Sequence, residues 1–297
     1  MNVRLLFFSL VLAIKCTSVS ATTPGKVSVL DDRGHRVELP LPAKRIISLA
    51  PHVTENLFAV GAGGRIVGVV EYSDFPEAAK KITRIGGYRH VNLEQVIALK
   101  PDLIIAWAGG GNDEAVAQLT ALGYPIYYSS PNTLDHVADE LIRLGQLVGN
   151  QETANNAADY FRERFEQLKK QYAHRQPVRV FYQVWSDPLQ TLNGTTLISS
   201  VIELCGGLNV FHDAPMVAPQ VTIESVVSAE PQVILGGKKA HEPPPWMTMW
   251  RSWTSIPAVS KHHIYGVNPD WLHRHTSRIL LGADEVCQFI HQARSEA

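Results

Sequence analysis

One twelve-residue pattern occurs twice in this chain and sharply limits what it can fold into. Glu94-Gln-Val-Ile-Ala-Leu-Lys-Pro101-Asp-Leu-Ile-Ile105 is echoed by Glu224-Ser-Val-Val-Ser-Ala-Glu-Pro231-Gln-Val-Ile-Leu235. In each copy a helix-capping residue, Asn92 or Thr222, opens a short helix, a proline closes it, and an apolar β-branched run follows. Each copy is one helix-to-strand step of an α/β lobe. Two copies at matching offsets predict two lobes of like architecture, with a crevice between them in which a ligand can sit.

A chain of 297 residues is long enough for two such lobes, each with its own core. Residues 1–21 read as a secretory leader: Arg4 supplies the positive end, 5–14 is apolar, and Val19-Ser-Ala21 fits the small-residue cleavage rule. No later stretch approaches the roughly 20 apolar residues a membrane helix needs, so a soluble mature chain beginning near Thr22 is expected. Cys16 sits where a lipidated leader would end, but Lys15 occupies the place that requires a small residue. Cleavage removes Arg4 and Lys15 and leaves 25 basic against 28 acidic residues, a net charge of −3. That weak acidity argues against a nucleic-acid partner. Cys205 and Cys287 remain, and an even count in an exported chain predicts one disulfide, the alternative being two buried thiols.

Apolar runs at 46–49, 66–70, 103–107 and 126–128 alternate with helical patterns at 113–122 and 134–148, which predicts a mostly parallel, helix-covered sheet. This first lobe is assigned to 22–148. From 151 to 174 runs the longest helical pattern, with Ala154, Ala158, Phe161, Phe165, Leu168 and Tyr172 on one face and charged residues on the other. Residues 149–176 are assigned as the linking helix; its periodic stretch of about 24 residues would be roughly 36 Å long, enough to strap both lobes. The alternative is a surface helix of the second lobe alone. That lobe, 177–297, repeats the style with strands at 178–182, 233–235 and 264–267, helices at 197–204 and 277–291, and a proline-rich rigid loop at 241–245. The fold class expected is α/β, two Rossmann-like lobes joined by one long α-helix.

In open α/β sheets ligands sit beyond the carboxyl ends of the strands. The residues there are aromatic: Tyr72, Tyr88, Trp107, Trp185 and Trp271 each follow or end an apolar run. Flat apolar area with a polar edge suits a large planar or amphipathic ligand, though each ring singly could belong to the core or rim. Asp270-Trp-Leu-His-Arg274 adds a carboxylate, an imidazole and a guanidinium, able to bind polar groups or to form a structural ion pair. The glycine clusters 61–64 and 109–111 lack phosphate-loop context and read as turns. His262-His263 and His273-Arg-His275 match no His-Glu-x-x-His or Cys-x-x-Cys spacing, and no Gly-x-Ser-x-Gly elbow is present, so neither a metal site nor an enzyme is expected.

Longer stretches carry a resemblance. Ile47-Ser-Leu-Ala-Pro-His-Val-Thr-Glu55, Tyr72-Ser-Asp-Phe-Pro76, Asn92-Leu-Glu94, Leu99-Lys-Pro-Asp-Leu-Ile-Ile-Ala-Trp107, Cys205-Gly-Gly and Asp270-Trp271 with Arg274 resemble the periplasmic binding proteins that carry siderophores, haem and cobalamin to bacterial ABC importers, and among them the cobalamin binders. The resemblance covers nearly all of the mature chain and implies a class III periplasmic binding protein, a monomer in the periplasm. It implies cobalamin as transported ligand, with no cofactor. It places Tyr72, Tyr88, Trp107, Trp185, Asp270, Trp271, Leu272, His273 and Arg274 around the corrinoid. It also implies that Glu94 and Glu224, one per lobe, dock onto arginines of the permease; their plain reading is helix N-terminal stabilisation. Cys205 and Cys287 match the family's bridge. Two departures are visible: Ala218 and Tyr88 stand where a family member has tryptophan, and His273 and His275 replace other residue types, which makes an imidazole a candidate ligand to the corrin cobalt. The rival ligands are haem or a ferric siderophore, for which only Arg274 and Arg89 supply charge, and the rival class is an exported metal-dependent enzyme.

Overall fold

The computed structural model describes residues 25–87, 90–172, 175–239 and 243–296; the leader expected at 1–21, Tyr88, Arg89 and part of the proline-rich loop lie outside the described residues. An antiparallel hairpin, β1 (Val27–Leu30) and β2 (Arg36–Leu39), comes first. There follow β3 (Ile46–Ser48), α1 (Pro51–Ala59), β4 (Ile66–Val69), α2 (Leu93–Ala98), β5 (Leu103–Trp107), α3 (Asp113–Ala121), β6 (Ile126–Ser129) and α4 (Leu134–Val148). Their strands form a parallel sheet in the order β4-β3-β5-β6.

After α5 (Gln151–Tyr172) come β7 (Val178–Gln183), the short ribbon β8 (Trp185–Ser186) and β9 (Leu189–Gln190), α6 (Leu197–Leu204), β10 (Gly207–Asn209), α7 (Ile223–Ser228) and β11 (Val233–Gly237). The chain ends with α8 (Pro245–Trp250), α9 (Pro257–Ser260), β12 (Ile264–Val267), α10 (Pro269–Leu272) and α11 (Ile279–Ser295). The second parallel sheet runs β10-β7-β11-β12. In both sheets the second strand flanks the first, and the third and fourth lie on its other side. Position 245 was expected in a loop; Pro245 instead starts α8, because a proline at the first helical turn loses no hydrogen bond.

The doubled sequence pattern is one physical unit used twice. Asn92 and Thr222 accept the backbone N–H of Gln95 and Ser225, capping α2 and α7. Val96 and Val226 anchor these helices, each 0 % exposed. Lys100 and Glu230, with φ of 46° and 42°, turn the chain into its proline. The match extends beyond the recognised residues: Arg45 Nε donates to Leu99 O at 3.0 Å, and Arg179 Nε to Ala229 O at 2.9 Å, tying the end of each helix to the first strand of its sheet.

The 22 residues of α5 span about 33 Å. Ala154, Ala158, Phe161, Leu168 and Tyr172 are buried, against α1 and α4 on one side and α6 and α11 on the other. One apolar core therefore runs continuously from the first sheet to the second along this helix, while separate cores cover the outer face of each. Gly145 of α4 lets α5 come close: a Cβ there would lie 2.2 Å from that of Ala154. Cys205 and Cys287 are joined, linking the end of α6 to α11. Constraining a loop of 82 residues contributes about 4 kcal/mol on the chain-entropy account.

Candidate ligand-binding site

A cavity of about 630 Å³ opens where the carboxyl ends of the two sheets face each other. Trp107, at the end of β5, and Ser130 and Asn132, after β6, line it from the first sheet. Val184, Leu192, Val217, His273, His275 and the start of α6, with Thr195 and Thr196, line it from the second. A concavity of about 680 Å³ near His262 and Ile264 lies at the amino end of β12 within one lobe, the wrong end of the strands for this architecture.

The floor is built from rings contributed by both lobes. Trp107 meets His52 edge-on at 5.7 Å between centroids and His275 at 5.9 Å, and the two imidazoles lie 5.3 Å apart. His52 is fixed by Ser129, Nε2 to Oγ 2.9 Å. His273 Nε2 and the buried Tyr182 hydroxyl are 2.6 Å apart. Desolvation holds all three histidines below the usual imidazole range, His275 at about 4; positive neighbours add to it at His52, while at His273, part of which is exposed, Asp270 works against it. Near neutral pH they are uncharged. Behind them Asn56 donates to the His275 carbonyl at 3.0 Å and to Glu140 at 3.2 Å. Burial and the nearby Asp32 raise the Glu140 carboxyl to about 8.

Beside the cavity an ionic cluster crosses from lobe to lobe. Glu55 of α1, its side chain 4 % exposed, accepts from Arg274 Nη1 at 2.7 Å and from Arg278 Nε and Nη2 at 2.8 and 2.6 Å. Arg274 also donates to Asp74 at 2.8 Å and Asp270 at 3.2 Å, and Lys239 pairs with Asp270 at 3.1 Å. Arg278 stacks over Phe75, 3.9 Å from the ring centroid.

Of the residues expected from sequence, the structure brings Trp107 and His273 to the cavity wall. Asp270 and Arg274 stand in the ionic cluster. Tyr72 and Trp185 are 70 % and 60 % exposed on the segments that follow β4 and β7. Trp271 is half-buried in α10, whereas Leu272, 1 % exposed, packs into the core against Gly282. Tyr88 lies outside the described residues. Glu94 and Glu224 are exposed in the first turns of α2 and α7, and Thr222 and backbone N–H groups hold the Glu224 carboxyl below its usual range. Ala218 is exposed beside Met216 and Val217, apolar side chains 59 % and 58 % exposed. Among the described residues no group of three or more His, Cys, Asp or Glu is arranged to hold a metal ion. His52, Asn56, Ser130, Asn132, Thr195 and Thr196 were not anticipated. Of these only Thr196 carries a local signal, as the cap of α6.

Two sheets of one topology, strapped by a long helix and enclosing a cavity at their carboxyl ends, define a two-lobed ligand-binding protein with little built-in hinge. The family model described as periplasmic binding protein matches residues 46–271, and the chain belongs to that family. It is 42 % identical over 262 residues to the vitamin B12-binding protein of Vibrio cholerae serotype O1, covering 86 % of this chain and 92 % of that one. To the vitamin B12-binding protein of Yersinia pestis it is 41 % identical, over 84 % of this chain and 88 % of the relative. The crystal structure of the periplasmic vitamin B12-binding protein of Vibrio cholerae superposes with a TM-score of 0.78 over 85 % of this chain and 98 % of that chain. The periplasmic haem-binding protein of Roseiflexus sp. RS-1, 24 % identical with a TM-score of 0.75 over 85 % and 99 % of the two chains, shares the fold.

Proposed function

We propose that this chain captures cobalamin between its lobes in the periplasm and delivers it to the permease of an ABC importer. The observation that carries this reading is the chemistry of the cavity. Its described lining offers aromatic and imidazole rings, apolar side chains, an amide and hydroxyls, and no Arg, Lys, Asp or Glu. A corrinoid fits such a wall: a broad apolar macrocycle rimmed by uncharged amides. Haem would bring its propionates, and a catecholate or carboxylate ferric siderophore its net negative charge, into a space without a counter-charge among its described lining, which is costly. Among the described residues, Arg274 and Arg278 beside the site are engaged with carboxylates. The similarity to vitamin B12-binding proteins points the same way.

In this reading the chain is a monomeric carrier without catalytic activity. The leader 1–21 is removed, 22–148 and 177–297 are the lobes, and 149–176 joins them. Trp107, His273 and His275 contact the corrinoid, Tyr72, Tyr88, Trp185 and Trp271 form its rim, and Asp270 and Arg274 hold the lobe edges. Exposed Glu94 and Glu224, one per lobe, meet basic groups of the permease. Isothermal titration against cyanocobalamin, haemin and a ferric siderophore tests the assignment. Cyanocobalamin alone is expected to bind, and Trp107→Ala to weaken it at least about tenfold by removing stacked aromatic area. Preferential binding of haemin would replace this reading.

A further inference from the structure

His273 and His275, separated by one residue, line the same cavity, yet their rings are held in different ways. Tyr182 is 1 % exposed, and its hydroxyl lies 2.6 Å from His273 Nε2. A buried hydroxyl must donate its proton somewhere, and among the described residues this nitrogen is the only hydrogen-bond partner found for it. The O–H therefore donates to Nε2, and the ring proton of neutral His273 resides on Nδ1. At His275 the sealed nitrogen is Nδ1, buried with no partner among the described residues. A buried N–H without an acceptor is disfavoured more than an unused lone pair. The proton of His275 accordingly sits on Nε2.

We infer that His273 and His275 form a pair of neutral N–H donors of opposite tautomer, Nδ1–H at His273 and Nε2–H at His275, that together select uncharged oxygen acceptors on the ligand. For a corrinoid, on which the choice of ligand rests as proposed above, these acceptors are the carbonyl oxygens of its amide side chains. Neither ring then serves as a ligand to cobalt. His275 would need its proton on the sealed Nδ1 to free Nε2, and at His273 the Tyr182 hydroxyl occupies Nε2 and keeps the ring proton on Nδ1.

Asparagine places an N–H close to where histidine carries Nδ1–H, and glutamine close to where it carries Nε2–H. His273→Asn and His275→Gln should therefore hold cyanocobalamin within about threefold of the parent protein, while His273→Gln and His275→Asn should each lose about tenfold. The crossover controls for general damage, since the same two residue types are compared at each site. Long-range proton–nitrogen correlation on histidine-labelled protein reads both tautomers without any ligand. The assigned pattern is expected, and the reverse tautomer at either residue overturns the pairing. A shift in the absorption bands of bound diaquocobinamide that disappears in His275→Gln would also overturn it, by showing a lone pair where a donor is assigned. If the tautomers are as assigned but cyanocobalamin does not bind the parent protein, the cobalamin reading fails and the donor pair stands.

Discussion

Glu140 shows how much a single residue can tell about the interior of a binding protein. It is 0 % exposed and lies close to Asp32, so its carboxyl is driven from an ordinary value of 4.5 to about 8, against the lowering effect of the hydrogen bond it accepts from Asn56. Between those values the native state keeps a proton that the unfolded chain has released. Stability therefore falls as pH rises through this window, by about 1.4 kcal/mol per pH unit for one proton, with the full contribution present below 4.5 and gone above 8. His52, His273 and His275 act in the opposite sense: their depressed values stabilise the fold above 6.5 and cost stability as pH drops below it. From 6.5 to 8 the Glu140 slope should stand clear. Urea unfolding at several pH values should show the parent protein losing stability relative to Glu140→Gln across that range, and parallel curves would mean the carboxyl is ionised in the fold. Nothing in the sequence marked Glu140, because its neighbours come from the hairpin turn and from α1.

At the level of elements, legibility followed apolar patterning. The strands at 103–107 and 233–235 were visible because a strand buried on both faces reads as an unbroken apolar run, and the second continues through two glycines to 237. The caps Asn92 and Thr222 were visible because capping is local. Helix α1 was legible only as a helix ahead of Gly61, without bounds or site residues, since His52, Thr54, Glu55 and Asn56 are all buried on it and break the amphipathic rhythm. His52, Glu55 and Asn56 meet residues of the other lobe, so the least readable helix supplies much of the site. The hairpin β1–β2 escaped because four-residue strands carry little periodicity. Glu94 and Glu224 occupy equivalent first turns, where a negative charge favours the helix dipole. If that were their whole role, Glu94→Ala/Glu224→Ala would cost only a little stability. The docking role predicts more: cyanocobalamin capture unchanged, but uptake into cells carrying the cognate importer lost. Normal uptake by the double variant would reduce both residues to helix stabilisers.

For the whole molecule, the question is what holds two lobes at one distance. Helix α5 and the continuous apolar core fix their backs, but the front is closed by the cluster around Glu55, where two guanidinium groups of one lobe converge on one buried carboxylate of the other. Removing one partner of a buried ion pair leaves an uncompensated charge, so Glu55→Gln should destabilise the protein by about 3 kcal/mol. Arg278→Gln made in the same background should cost less than it does alone, with a coupling of at least about 1 kcal/mol. Because α5 is untouched, the lobes should loosen rather than part. Spin labels on Glu94→Cys and Glu224→Cys, one exposed position per lobe, should report a broader distance distribution in Glu55→Gln and an unchanged one after a surface substitution such as Glu163→Gln. The pairs are buried, so added salt should imitate Glu55→Gln only weakly. An unaltered distance distribution, with additive stabilities, would mean that the apolar core along α5 sets the cleft width alone.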